Sequence, residues 1–146
     1  MNIILYHPEI PPNTGNVARL TAGLGMPLHL IEPLGFSLED RYLKRAGLDY
    51  WPLVDLRLWP DFESFLAGGL SGRLIATSTK TGRLFTDYQP HPDDNFIFGP
   101  ETVGLPPLVL DKADAVYTIP LRPGVRSLNL STTVGFFMGL ALSRLP

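Results

Sequence analysis

Residues 95–131 read NFIFGPETVGLPPLVLDKADAVYTIPLRPGVRSLNLS, and this stretch decides the fold. It holds two short apolar runs, Asn95–Phe98 and Ala115–Ile119, each passing directly into a loop rich in glycine and proline. Such runs, bounded by turn formers, read as strands buried on both faces. Downstream, a helical pattern runs from about Ser131 to Arg144. Upstream, the same alternation repeats. Asn2–Tyr6 (NIILY), Leu28–Glu32, Leu53–Leu58 and Arg73–Thr77 (RLIAT) are expected strands. Between them, a helix is expected from about Gly15 to Leu24, with Val17, Leu20 and Leu24 on one face and glycines 23 and 25 at its end. Ser37-x-x-Asp40 resembles a capping box opening a helix through Ala46 that Gly47 stops, and Asp61–Ala67 is a short helix closed by Gly68-Gly69. Strands alternating with helical segments predict an α/β domain, a mainly parallel sheet flanked by helices.

The 146 residues fit one domain, 1–146, with 45% hydrophobic residues to build a core. With no Cys, disulfides and thiolate metal sites are excluded. The histidines at 7, 29 and 91 lack the spacing of metal ligands, so no metal is expected. No apolar run approaches the roughly 18 residues of a membrane span; the longest, Val134 to Leu142, contains glycine. The opening MNIILYHPE lacks the pattern of a secretory signal, so a soluble, cytoplasmic protein is expected, with no membrane partner. A net charge of −2 gives no general attraction for polyanions. Nucleic-acid contact must therefore rest on local patches. Trp51 and Trp59 read as core or interface anchors.

In parallel α/β sheets ligands bind beyond the carboxyl ends of the strands. Three loops there are unusual: Ser78–Arg83 after RLIAT, Gly99–Pro107 after NFIF, and Pro120–Ser131 after AVYTI. They offer unpaired backbone groups and small residues that allow close approach. No G-x-G-x-x-G follows the first strand and no G-x-x-x-x-G-K-[ST] occurs, which removes the dinucleotide-fingerprint and P-loop classes.

Three motifs carry a family resemblance: Pro11-Pro12-Asn13-Thr14-Gly15-Asn16-Val17-Ala18-Arg19, then Phe98-Gly99-Pro100-Glu101-Thr102-Val103-Gly104-Leu105, then Ile119-Pro120-Leu121 through Arg126-Ser127-Leu128-Asn129-Leu130-Ser131. In this order they resemble the SPOUT (α/β-knot) RNA methyltransferases. Within that family they are most similar to the small members that 2'-O-methylate the wobble nucleotide of tRNA, the tRNA (cytidine(34)-2'-O)-methyltransferase group. The chain departs from that pattern at Leu121, where many relatives have Met, at Thr132-Thr133 in place of Asn-Ala, and at Gly139 in place of a Tyr. Leucine for methionine keeps an apolar wall.

The resemblance implies a C-terminal trefoil knot, which periodicity does not indicate and which general topology rules disfavour. It implies S-adenosylmethionine bound in the knot by Thr77, Ser78, Thr79, Gly99, Glu101, Gly104, Ile119, Leu121, Ser127 and Leu128. Glycine-bearing loops and aliphatic walls suit a flat adenine with hydrogen-bonding edges. It maps Asn13, Arg19, Glu101, Ser127 and Asn129 onto the catalytic set for attack of a ribose 2'-hydroxyl on the sulfonium methyl. Orientation can supply roughly 7 to 11 kcal/mol of such a barrier. A guanidinium hardly deprotonates, so Arg19 is expected to pair with an RNA phosphate and stabilise the developing alkoxide, with Ser127 and Asn129 orienting the ribose. Glu101 either organises its loop by accepting backbone N–H bonds or orients Arg19. Asn13 could cap the first helix, contact substrate, or do both.

Arg41, Lys44 and Arg45 share one helix face, giving either a phosphate-facing stripe or a solvated one. Lys80, Arg83, Arg122 and Arg126 are further candidates for RNA contact. A single-stranded tRNA anticodon loop, with accessible 2'-hydroxyls, is the expected target, and DNA is not. The last helix, with Val134, Phe136, Phe137, Met138, Leu140, Ala141 and Leu142, is apolar nearly all round, which a small monomer can hardly cover. Family members are homodimers, and a homodimer is expected here. The competing readings are 2'-O-methylation of another tRNA site or of rRNA, and a module that binds RNA or nucleotide without chemistry.

Overall fold

The computed structural model describes residues 1–47 and 49–146. Among these, seven parallel strands form one sheet: β1 (Asn2–Tyr6), β2 (Leu28–Ile31), β3 (Leu56–Trp59), β4 (Leu74–Thr77), β5 (Arg83–Leu84), β6 (Asn95–Phe98) and β7 (Ala115–Thr118). Their order is β3-β2-β1-β6-β4-β7-β5. The α-helices are α1 (Pro11–Leu24), α2 (Arg41–Gly47), α3 (Phe62–Gly68), α4 (Pro107–Lys112) and α5 (Leu130–Arg144). Every strand pairing is parallel, and β2 and β6 are buried at all their residues, as expected where helices cover both faces.

Strand side chains alternate between two core layers. Ile3, Leu5, Leu30, Phe96 and Phe98 meet Val17 and Ala18 of α1 and Val134, Phe137 and Ala141 of α5. Ile4, Leu74, Ala76 and Ile97 meet Phe62 and Phe65 of α3 and Val109 of α4 on the other face. α2 packs on α1, where a Cβ on Gly15 would stand 2.5 Å from Ala46 Cβ and 2.7 Å from the Leu43 carbonyl. Only glycine allows that approach.

Several elements differ from the sequence expectation. α1 starts at Pro11 rather than Gly15, with prolines in its first positions, where a missing N–H is no loss. Ile10 stands at the N-cap without a side-chain bond, so Asn13 lies inside the helix and does not cap it. The buried face of α1 carries Thr14, Val17, Ala18 and Thr21, while Leu24 is exposed. The true cap of α2 is Asp40, whose Oδ1 accepts from the N–H of Tyr42 at 2.7 Å and of Leu43 at 3.2 Å; Ser37 instead accepts from Glu39. The third strand is shifted to Leu56–Trp59 because Trp51–Leu53 forms a 3-10 turn. β5 and α4 were not expected at all.

The last helix is tied at both ends. Asn129 caps its start, and Arg144 Nη1 donates to the carbonyls of Thr86 at 2.7 Å and Tyr88 at 2.9 Å. α5 thus packs on α1 and is bonded to the segment joining β5 to β6. That segment is itself anchored: the buried Asp94 carboxylate accepts from Arg73, from the Tyr88 hydroxyl and from the His91 N–H. Among the described residues, no helix is long and apolar enough to cross a membrane.

Candidate active site

The loops after β4, β6 and β7 converge on one cavity of about 840 Å³ at the carboxyl ends of the strands. Each is shaped by local chemistry. After β4, Ser78 N–H extends the ladder to the Tyr117 carbonyl at 3.0 Å, and Ser78 Oγ accepts from the N–H of Lys80 at 3.1 Å. After β6 the chain turns back on itself. Gly104 sits at φ +73°, and a Cβ on Gly99 would stand 2.4 Å from the Leu105 nitrogen. After β7, Gly124 at φ +89° makes a turn closed by Val125 N–H to the Arg122 carbonyl at 3.1 Å.

A polar chain ties the β6 loop and the end of the β7 loop to the segment that opens α1. Asn129 Oδ1 accepts from Ser131 N–H at 2.9 Å, Ser131 Oγ–H at 2.7 Å and Thr132 N–H at 3.3 Å. Its Nδ2 donates to Asn13 Oδ1 at 2.8 Å, and Asn13 Nδ2 donates to Glu101 Oε1 at 3.3 Å. Glu101 also accepts from the N–H of Glu9 at 2.9 Å and of Ile10 at 3.1 Å. The Glu9 carboxylate in turn accepts from Thr102 Oγ1–H at 2.8 Å. Three segments distant in sequence are thereby held in one arrangement. A carboxylate accepting several donors beside the start of α1 also complements the positive end of that helix.

The structure brings together Thr77, Ser78, Thr79, Gly99, Glu101, Gly104, Ile119, Leu121, Ser127 and Leu128, all of which line the cavity, as do Asn13 and Asn129. The cavity size falls within the range that holds drug-sized ligands, and its walls are aliphatic with a few polar groups. That donor set suits an adenosyl group: Ile119, Leu121 and Leu128 offer apolar wall, while threonine and serine hydroxyls and loop backbone groups offer hydrogen bonds. Lys80 and Arg126 are the lining residues that carry positive charge.

Other expected site residues lie elsewhere. Arg19 is exposed and absent from the lining of the cavity; its Cζ stands 4.8 Å from the Tyr50 ring centroid. It does not meet Glu101, which is engaged by backbone donors. Arg122 is exposed on the β7 loop outside the lining, and Arg83 is exposed on β5. Arg41 and Arg45 are exposed on α2, away from the cavity, and Lys44 is ion-paired with Glu39. Sequence reasoning missed Glu9, the reciprocal partner of the β6 loop, although a carboxylate two residues before a Pro-Pro helix start is a visible signal. It also missed the aromatic floor of Phe98, Tyr117 and Phe137. Among the described residues there is no cluster of three or more His, Cys, Asp or Glu that could hold a metal.

The chain is similar to known proteins over nearly its whole length. The sequence model of the SpoU rRNA Methylase family matches residues 1–139. A tRNA (cytidine(34)-2'-O)-methyltransferase of Burkholderia ambifaria is 49% identical over 137 residues, 91% of this chain and 88% of that protein. One of Escherichia coli (strain K12) is 45% identical over 136 residues, 92% of this chain and 87% of that protein. A solved structure described as "Structural insights into the 2-OH methylation of C/U34 on tRNA" superimposes with a TM-score of 0.93 at 47% identity, covering 98% of this chain and 94% of that one.

Proposed function

The chain belongs to the SpoU rRNA methylase family, and on that premise we propose that it methylates the ribose 2'-hydroxyl of nucleotide 34 in the anticodon loop of tRNA, using S-adenosylmethionine, in the cytoplasm. The observation that carries this reading is the convergence of three strand-end loops on one adenosyl-sized cavity whose far edge is the Asn13–Glu101–Asn129 chain. Similarity at 43 to 49% to proteins named for nucleotide 34 supports the choice of target.

Bound in the cavity, S-adenosylmethionine supplies an electrophilic sulfonium methyl. The residues of this chain do the rest. Ile119, Leu121 and Leu128 form the wall against which the adenine packs. The polar chain holds the β6 loop and the start of α5 in register, so the rim is set before substrate arrives. Preorganisation of this kind is the main contribution a protein makes to a transfer that needs alignment.

The proposed catalytic set divides into two roles. Asn13, Glu101 and Asn129 are engaged with one another and with backbone donors, so they fix the rim. Ser127 Oγ has no hydrogen-bond partner among the described residues and stands exposed at the same edge. It is the group that meets the ribose. Arg126 and Lys80 at the mouth hold phosphates, with Arg122 beside them, and the α2 stripe of Arg41, Lys44 and Arg45 extends the contact along the RNA. An unpaired loop presents its riboses to such a rim without melting a helix.

Arg19 completes the site from a second copy. It lies outside the cavity of its own protomer, and the chain exposes apolar side chains, Leu24 at the end of α1 and Phe136 and Leu142 on α5, that a homodimer would cover. A guanidinium facing the partner's cavity can pair with a phosphate oxygen beside the target and stabilise negative charge on the attacking oxygen. As the new O–CH₃ bond forms, the S–CH₃ bond breaks and the hydroxyl proton leaves to solvent.

Incubation with methyl-labelled S-adenosylmethionine and total tRNA, followed by nucleoside mapping, tests the proposal. The expected product is a 2'-O-methylated nucleotide 34. Label on a base carbon, label at another ribose, or no label on tRNA at all would overturn it.

A further inference from the structure

Among the described residues, no hydrogen bond or ion pair engages Arg19, in contrast to Arg73, held by Asp94 at 2.7 Å, and Arg57, held by Asp55 at 2.8 Å. What Arg19 does have is an aromatic platform, its Cζ lying 4.8 Å from the centroid of the Tyr50 ring. The ring is carried on a fixed support. The Tyr50 carbonyl accepts from Leu53 N–H at 2.8 Å, which closes the 3-10 turn Trp51–Leu53. Trp51 and Val54 pack onto the core layer shared by α1 and α5. The platform and the helix that bears Arg19 are therefore anchored to the same body.

A guanidinium is flat, and its five N–H donors lie in its plane. Stacked on a ring it gives up one face and keeps every donor, whereas a carboxylate partner would occupy two donors and cancel the charge. Arg41 shows the difference: it lies over the Tyr42 ring at 4.7 Å, yet its Nη2 also donates to the Tyr42 hydroxyl at 2.8 Å. An arginine also carries rotamer entropy that a platform can remove in advance.

We infer that Tyr50 is a positioning residue for the reaction: its ring seats the Arg19 guanidinium so that its in-plane donors are presented, unpaired, to the phosphate and ribose of the RNA. This rests on the reading of the chain as a tRNA ribose methyltransferase. It assigns Tyr50 no contact with the methyl donor or the reacting atoms.

The test compares Tyr50→Leu with Tyr50→Phe, which keeps the ring. At saturating tRNA and S-adenosylmethionine, the single-turnover rate of Tyr50→Leu is expected to fall on the order of three- to thirtyfold, the range of a cation–π contact from exposed to desolvated. Tyr50→Phe is expected to restore most of that rate, and affinity for S-adenosylmethionine is expected to stay within twofold (~) in both variants. In an Arg19→Ala background, Tyr50→Leu should cost nothing further. A rate for Tyr50→Leu equal to that of the unaltered protein overturns the inference, as does an undiminished loss in the Arg19→Ala background. A readout independent of transfer accompanies these. The Arg19 Nε–H resonance, identified by its absence in Arg19→Lys, should be shifted upfield by the ring in the unaltered protein and in Tyr50→Phe, and return to its solvent position in Tyr50→Leu. No ring-dependent shift overturns the inference whatever the activity. A shift with no methylation of tRNA by the unaltered protein leaves the seating intact and overturns the functional reading instead.

Discussion

At Gly99 one added carbon meets backbone on every side: a Cβ there would stand 2.4 Å from the Leu105 nitrogen and 2.5 Å from the Gly104 carbonyl carbon. Neither neighbour can swing away as a side chain would, so Gly99→Ala must open the turn that forms one wall of the cavity. The expected result is a loss of S-adenosylmethionine affinity on the order of tenfold or more, read by calorimetric titration, with only a modest fall in Tm since the turn is at the rim. The need for glycine at 99 was legible in the motif that carries it. The partners of Asn13 were not. Its two hydrogen bonds reach Glu101 and Asn129, positions separated from it by 88 and 116 residues, and no local pattern encodes a contact of that span. For the same reason a cap was the natural reading of an asparagine after Pro-Pro, although the prolines themselves begin the helix.

The start of α5 shows how much one cap can do. Asn129 accepts from the first-turn donors of the helix and at the same time donates to Asn13, so Asn129→Ala removes a cap worth about 1 kcal/mol and also releases the rim. Chemical denaturation should show that fall in stability, and Asn129→Ser, which can cap but cannot reach as far, should recover the stability without the methyl-donor affinity. Recovery of both would mean that the bond to Asn13 has no part in binding. Among the elements, the strands buried on both faces were read nearly to the residue, because continuous apolar runs between turn formers have no other use in a sheet covered by helices. α4 was hidden by Pro106-Pro107, which look like a loop yet serve as N-cap and first helical residue. β5 has two residues, too few for any period to show.

For the molecule as a whole, acid and association give separate checks. The His29 ring is fully buried, its Nδ1 accepts from Trp59 Nε1–H at 2.9 Å, and its Nε2 has no partner among the described residues. Burial, with a smaller push from the nearby Arg57 charge and an opposing pull from Asp55, lowers its pKa from 6.5 to about 4. Between those values the unfolded chain binds a proton that the native one does not, so stability rises with pH across that window and falls as pH drops toward 4. The loss should reach about 2 to 3 kcal/mol by urea unfolding near pH 4 relative to pH 7. The His29 ring resonances should show no titration above pH 5 (~). Association is tested at Phe136, which is 50% exposed on α5. For the proposed two-copy site, Phe136→Asp is expected to give a folded monomer in light scattering and to lose tRNA methylation by at least about a hundredfold, since each site would then lack the second copy's guanidinium. A monomeric variant that still methylates would remove the two-copy site.

The bonds that hold the rim also order the protein in time. Glu9, Asn13, Glu101 and Asn129 come from the beginning, the last third and the close of the chain, and the pocket is walled only when all have met. A nascent chain that has emerged as far as β6 can lay down β1 and β6 side by side, yet it has no place to keep a nucleoside. On the proposed reading, the site for the methyl donor is therefore complete only once the final helix has joined the rim.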